Sequence, residues 1–245
     1  QQVFLAQWSF DYLFSIINPV QTSASVLSQP KISAINFHDA PLPKYAGLHV
    51  TSWAIQNQET EFGVTWHEMS TTFDAGDILV QETFPIEPDE TAFSLSVKCY
   101  QHGLDTFKQL LLDIESDNLK RQAQNIADRS VYFGAQKPSY AGLLDWRQAA
   151  SKIVALSRGL NFQLDDNPLC VPKAYLNEQV YLVGNEISLE EGATSASPGK
   201  VLARDAESVL IATQDGAVRL SGLTTVDGEL VKLDELAGIE VGAQL

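Results

Sequence analysis

Hydrophobic periodicity changes character once along this chain, and that change limits the folds open to it. Up to about residue 115, short apolar runs alternate with stretches of helical spacing. Tyr12-Leu-Phe-Ser-Ile-Ile17 is a compact apolar run ended by Asn18-Pro19, which predicts a buried strand and then a loop. Ser23 to Leu27 predicts a short helix, and Ala34 to His38 the next strand. Ala40-Pro-Leu-Pro43 keeps the following backbone extended. Val50 to Gln56 reads as a helix, while Phe62, Val64 and Trp66 alternate with Gly63, Thr65 and His67 as a strand does. Ile78 to Phe84 is another strand. Ala92, Leu95, Cys99, Gly103, Phe107, Leu110 and Ile114 recur at spacings of three and four, which predicts one long helix with Asp89 or Thr91 as its cap. Alternating strands and helices predict an α/β fold around a parallel-rich sheet.

After about residue 125 the pattern differs. Residues 129–144 carry Gly134, Pro138 and Gly142 and read as a linker. Asp145, with Gln148 three residues on, predicts a capping box, and Gly159 an end for the helix that follows. Beyond Pro172 only short strands are evident: Tyr175-Leu, Val180 to Val183, Gly199 to Ala203, Val209 to Thr213 and Ala217 to Leu220. Gln214-Asp-Gly216 is a hairpin signal between two of them. The expected organisation is a catalytic domain over residues 1–128, the linker, and residues 145–245 as a helix plus a small OB-like β-barrel.

Composition narrows the function. The formal net charge is −15, with Lys120-Arg121 the nearest approach to a basic cluster, so bulk nucleic-acid binding is disfavoured. No apolar run is long enough to span a bilayer and no basic-then-apolar leader opens the chain. The two cysteines, Cys99 and Cys170, form neither a disulfide framework nor a zinc spacing. These features together predict a cytoplasmic protein without a metal site or a membrane partner.

Two short segments carry chemistry. Asn36-Phe-His38-Asp-Ala-Pro-Leu-Pro43 follows directly on a strand, and residues i and i+2 of a strand share a face, so Asn36 and His38 point together. They stand at a carboxyl strand end, where open α/β sheets place their ligands. Phe73-Asp-Ala-Gly-Asp77 lies between two strand candidates, and its glycine permits a tight turn. An amide, an imidazole and the Asp74 carboxylate converging on one crevice form an acyl-transfer set. His49, His67 and His102 stand outside this constellation, with His67 on the strand face opposite Trp66; Asp77 reads as a turn carboxylate, and Trp53 and Trp66 as core.

With those residues in view, the chain resembles the folate-dependent formyltransferases. Asn36-Phe-His38, then Leu42-Pro43, Tyr45 and Gly47, is similar to the pattern N-x-H-x-S-L-L-P-x-[YWRF]-x-G. Phe73-Asp74-Ala-Gly76-Asp77 resembles the L-D-T-G-D loop, and Gly63-Val-Thr65 the G-[VI]-T strand. Asp145-Trp146, Gly199-Lys-Val and Asp215 to Leu220 resemble the small carboxyl-terminal barrel of the methionyl-tRNA formyltransferase branch. His38-Asp-Ala-Pro departs from the usual H-x-S-L. The family sets a βαβ-type segment of many tens of residues before the Tyr12 strand, whereas only Gln1 to Phe10 precede it here. The resemblance therefore implies a Rossmann-like half that is incomplete at its amino end, with the rest either missing here or part of a longer polypeptide.

The resemblance also implies a reaction: a neutral amine attacks the formyl carbon of 10-formyltetrahydrofolate, with no metal. Asn36 and a protonated His38 would hold the tetrahedral oxyanion, and Asp74 would orient His38 or a water and help the proton from amine to folate nitrogen. The pterin would lie against the backbone of Ile16, Ile17, Asn18 and Val20 and against the loop that carries Ser70 and Phe73. Relatives of this kind formylate an aminoacyl-tRNA, a nucleotide-linked amino sugar, glycinamide ribonucleotide or an aminoacyl group on a peptide-synthetase carrier protein. The wording from Asn36 to His49 is most similar to modules of non-ribosomal peptide synthesis, which makes a carrier-bound amine the expected acceptor. Methionyl-tRNA or an amino sugar, hydrolysis of the donor, and a silent binding module are the rival expectations.

Overall fold

The computed structural model describes residues 8–18, 20–163, 167–184, 186–190, 192 and 194–245. Pro19, expected to help end the first strand, lies outside them. The chain divides into two compact units, one of Gln1–Thr51, Thr60–Pro88 and Ser94–Gly134, the other of Ser52–Glu59, Asp89–Phe93 and Ala135–Leu245.

The first unit is built on β1 (Tyr12–Ser15), β2 (Ser33–His38), β4 (Glu61–Glu68) and β5 (Ile78–Pro85), in the order β1-β2-β4-β5. The short helix α1 (Ala24–Leu27) lies between β1 and β2, which pair in parallel. The other two pairings are antiparallel, so the expected parallel-rich sheet is in fact mixed. For β1–β2 and β4–β5 the reason lies in the connections. A parallel pair needs a crossover of a dozen or more residues, which the chain from β1 to β2 supplies. Between β4 and β5 a short helix-free loop intervenes, and the chain returns antiparallel. Ile16 and Ile17, expected inside the first strand, fall beyond its end and are exposed.

The helix α2 (Val50–Gln56) has the bounds its pattern predicts, and the long helix α3 (Ala92–Glu115) extends one residue beyond its last patterned position. α3 covers one sheet face. Trp66 stacks on Phe107 with ring centroids 4.9 Å apart, and its indole N–H donates to Thr106 Oγ1 at 3.0 Å. Trp66 is core, as its pattern predicts. A small pair, β3 (Ala46–Gly47) with β6 (Val131–Tyr132), runs parallel beside the sheet.

In the second unit the helix α4 (Ala150–Leu160) begins five positions after Asp145, not at it. Asp145 instead heads a turn, accepting from Arg147 N at 3.1 Å, and the first helical N–H, on Ala150, donates to Asp215 Oδ1 at 2.8 Å. The cap therefore comes from the hairpin turn far along the chain. Gly159 does not end the helix but lies inside it, where a Cβ would come 2.6 Å from Gln56 Cγ.

The strands that follow are β7 (Lys173–Leu176), β8 (Gln179–Leu182), β9 (Ile187–Glu190), β10 (Val201–Arg204), β11 (Ser208–Ala212) and β12 (Ala217–Ser221). β11 and β12 form the hairpin expected around Gln214-Asp-Gly216. The barrel expectation is overturned. β10-β11-β12-β9 is an open four-stranded sheet and β7-β8 a separate pair, and no sheet closes among the described residues. Closure would need the edge strands β10 and β9 to pair with each other or through β7-β8, and among the described residues they do neither. Their core is apolar and holds Ile153, Val154, Val201, Val209, Ile211, Val218 and Leu220.

Candidate active site

Asn36 and His38 share one face of β2, as their spacing predicts, and the pairing register sets His67 opposite Asn36 and Thr65 opposite His38. That face is thus polar on both strands and nonetheless buried at His38, Thr65 and His67. A register shift between Trp66 and His67 marks a bulge in the β4–β5 pairing at this point, a device common beside reacting sites.

Asp74 arrives from the loop between β4 and β5, in a left-handed conformation with φ 47°. Its loop is held by Gln124, whose amide donates to the carbonyls of Asp74 and Gly76 at 3.1 and 2.7 Å. Gly76 is required by proximity: a Cβ there would lie 1.9 Å from the Glu68 carbonyl oxygen. Asp74 Oδ2 stands 3.8 Å from His38 Nδ1, and its Oδ1 3.5 Å from His67 Nε2. Gly47 N–H donates to Asp74 Oδ2 at 3.0 Å. Gly47 has φ 108°, and a Cβ on it would lie 2.0 Å from the Tyr132 carbonyl oxygen. Burial works to raise the Asp74 pKa, but the hydrogen bond from His67, the charge of His38 and the Gly47 N–H together hold it below the ordinary carboxylate value.

The tautomers follow from the partners. His38 Nε2 lies 2.8 Å from the Tyr45 carbonyl oxygen, which can only accept, so that nitrogen carries a hydrogen and Nδ1 is left to exchange protons. His67 Nδ1 likewise donates to the Glu68 carbonyl at 2.8 Å. Its Nε2 then faces Asn36 Nδ2 at 3.2 Å. That nitrogen also stands 3.5 Å from Asp74 Oδ1: carrying a hydrogen it donates to Asp74, and without one it accepts from Asn36. The 38–45 turn is pinned by Thr65, whose hydroxyl donates to the Ala40 carbonyl at 2.7 Å and accepts from Leu42 N at 3.2 Å.

The structure thus brings Asn36, His38 and Asp74 together. It adds His67, which the sequence reading set aside. The missed signal was that His67 and Thr65 occupy the polar phase of a strand buried on both faces. His49 and His102 are not among these contacts; His102 pairs with Glu82 at 3.1 Å.

The residues expected to hold the donor form an exposed rim. Ile16, Ile17 and Val20 are exposed apolar residues, and Asn18 links to Val20 by two side-chain bonds of 3.0 and 3.1 Å. Ser15 pairs with Asn36, so this segment leaves the sheet beside Asn36. Phe73, next to Asp74, is exposed, and Ser70 donates to the Thr72 carbonyl at 2.8 Å. Two buried polar atoms nearby, Gln124 Oε1 and Arg129 Nε, have no hydrogen-bond partner among the described residues.

Two family models match, described as formyl transferase over residues 22–111 and formyl transferase, C-terminal domain over residues 139–238. The methionyl-tRNA formyltransferase of Geobacter metallireducens is 30% identical over 228 residues, which cover 90% of this chain and 68% of that enzyme. The chain belongs to the folate-dependent formyltransferase family. Its enzyme class is accordingly that of the N-formyltransferases, with 10-formyltetrahydrofolate as the formyl donor. Membership stands without the barrel, since the C-terminal model matches a region whose sheets stay open.

Solved structures share the formyltransferase fold. A HypX variant from Aquifex aeolicus superposes with TM-score 0.67 at 23% identity, covering 91% of this chain and 38% of that one. This formyltransferase chain therefore spans well under half of the HypX length. An N-formyltransferase from Helicobacter canadensis, solved with folinic acid and dTDP-3-aminofucose, gives TM-score 0.65 at 20% identity over 87% of this chain and 73% of that one. Among the described residues no helix is long and apolar enough to cross a membrane.

Proposed function

We propose that this chain transfers the formyl group of 10-formyltetrahydrofolate to the primary amine of a nucleotide-linked amino sugar, with Asn36, His38 and Asp74 as reacting residues. The observation that carries the reading is the buried His38–Asp74 pair, its carboxylate 3.8 Å from His38 Nδ1, beside an amide donor. The donor would lie over Ile16, Ile17, Asn18 and Val20 and against Ser70 and Phe73. An Asn36 N–H and a His38 imidazolium would stabilise the oxyanion that forms when the amine attacks. The new C–N bond forms, the bond from formyl carbon to folate nitrogen breaks, and that nitrogen takes up a proton. Asp74, ionised at neutral pH, orients the imidazole through the cycle.

The fold shared with an enzyme solved with dTDP-3-aminofucose favours a small acceptor, and a net charge of −15 disfavours a polyanion such as tRNA. The identity of 30% to a methionyl-tRNA formyltransferase supports the second reading, an aminoacyl-tRNA acceptor. The relatives named above are not peptide-synthetase modules, so the carrier-bound amine gives way to these two. Parallel incubation of the protein and 10-formyltetrahydrofolate with dTDP-3-aminofucose or methionyl-tRNA, read by mass spectrometry, separates them. Formamide on the sugar supports the first reading and on the tRNA the second. Formate release without an amine points to hydrolysis, and no turnover at all sinks the enzyme readings.

A further inference from the structure

The reacting pair is closed off from water, yet the reaction must shed a proton whenever the acceptor arrives as an ammonium ion. The side chains of His38 and Asp74 are 7% and 4% exposed. One further carboxylate stands within reach of the same imidazole nitrogen: Asp39 Oδ1 is 4.0 Å from His38 Nδ1, and its side chain is 31% exposed. Asp39 accepts no side-chain hydrogen bond among the described residues beyond that approach, while its backbone carbonyl takes the Cys99 thiol at 3.8 Å and so fixes the loop. The His38 nitrogen that exchanges protons therefore has two carboxylates within about 4 Å, one sealed and one partly open to solvent.

We propose that Asp39 is the proton exit of the site, a positioning and relay residue that carries protons between His38 Nδ1 and bulk water. The inference rests on the formyl-transfer reading of this site. The balance is as follows. The acceptor R–NH3⁺ gives one proton to His38 and attacks as R–NH2. The tetrahedral intermediate loses a second N–H proton as the folate nitrogen gains one. One proton per ammonium consumed is left on His38 and must reach solvent. Asp74 cannot pass it on, because its oxygens face His38, His67 and the Gly47 N–H inside the fold. A gap of 4.0 Å exceeds a direct hydrogen bond and is spanned by one small side-chain rotation or one water.

The groups that face Asp39 are His38 from β2 and, from α3, the Cys99 thiol and the Tyr100 phenol. Burial first, and then the charges of Asp39 and Cys99, raise the phenol above its ordinary value, so Tyr100 stays protonated at neutral pH and does not compete as an acceptor. Asp74 faces it only across His38.

The test is buffer rescue in the full chain. Asp39→Asn keeps the shape and removes the proton acceptor. In dilute non-nucleophilic buffer its kcat with dTDP-3-aminofucose should fall about tenfold or more, a scale set by general acid–base effects. Affinity for folinic acid should stay within about twofold of wild type. Added tertiary-amine buffer of small size should restore kcat, which a misfolded site would not allow. Asp39→Glu should retain most turnover in dilute buffer and guards against a folding loss. Wild-type kcat for Asp39→Asn in dilute buffer, or a loss that no buffer concentration recovers, overturns the relay. If wild-type protein formylates neither the sugar nor methionyl-tRNA, the functional reading fails first and the relay with it.

Discussion

The strand pairs β2–β4 and β11–β12 are both buried, but they bury different chemistry. In β11–β12 the enclosed side chains are Val209, Ile211, Val218 and Leu220, all at 0% exposure. In β2–β4 one face encloses Ile35, Phe37 and Trp66, and the other encloses His38, Thr65 and His67. Polar groups in such a place cost free energy unless each finds a partner. Here the partners are the backbone carbonyls of Tyr45, Ala40 and Glu68, and the Gly47 N–H serves the neighbouring Asp74. A polar face so fully supplied from the main chain is held rigid, which suits a site that must meet a transition state without reorganising. The apolar hairpin has no such constraint and answers only for stability.

Substitutions can break this contrast. The largest effect belongs to the polar face: His38→Ala and Asp74→Asn should each lower turnover by roughly a hundred- to ten-thousand-fold while folate affinity is mostly kept. Near-normal turnover in both, measured by formamide yield, removes the site assignment. On the apolar side, Ile211→Ala should cost about 2–5 kcal/mol of unfolding free energy with kcat per folded molecule unchanged. A denaturant titration beside an activity assay checks it, and a matching fall in kcat would show that the two regions are not separable in function.

Smaller changes sharpen the comparison. His67→Phe removes the ring nitrogen that faces both Asn36 and Asp74 and should lower kcat by roughly ten- to a hundredfold, with little change in KM for the amine. Loss confined to KM would make His67 a binding residue. Asp215→Ala removes the long-range cap of α4 and should lower stability by about 1 kcal/mol, seen as a fall in Tm without loss of turnover.

The last test is in pH. Asp74 has a folded pKa below its ordinary value, so its stabilising contribution is whole at neutral pH and is lost as pH falls below about 4. The stability gap between wild type and Asp74→Asn should therefore close on acidification, and a gap that widens would contradict the bonding described.

Much of the fold was legible in local pattern. α2 and α3 follow their apolar spacing, and the β11–β12 hairpin its Gln214-Asp-Gly216 turn. What failed were statements about which strand meets which. Alternating elements suggested a parallel-rich sheet, but the helix-free loop after β4 returns the chain antiparallel. A run of short strands suggested a barrel, but they form an open sheet and a separate pair. Capping failed for the same reason: Asp145 had the right neighbours for a local cap, and Asp215 took the role from a distance.

At the site the division is equally physical. The sequence by itself determined that Asn36 and His38 share a strand face, because strand period is local, and that Asp74 sits in a glycine-bearing turn. Only the tertiary structure decided that His67 faces Asn36 and that Asp39 stands on the open side of His38. Those facts depend on the β2–β4 register and on the turn after His38, and pairing register is a long-range property that a local pattern does not encode.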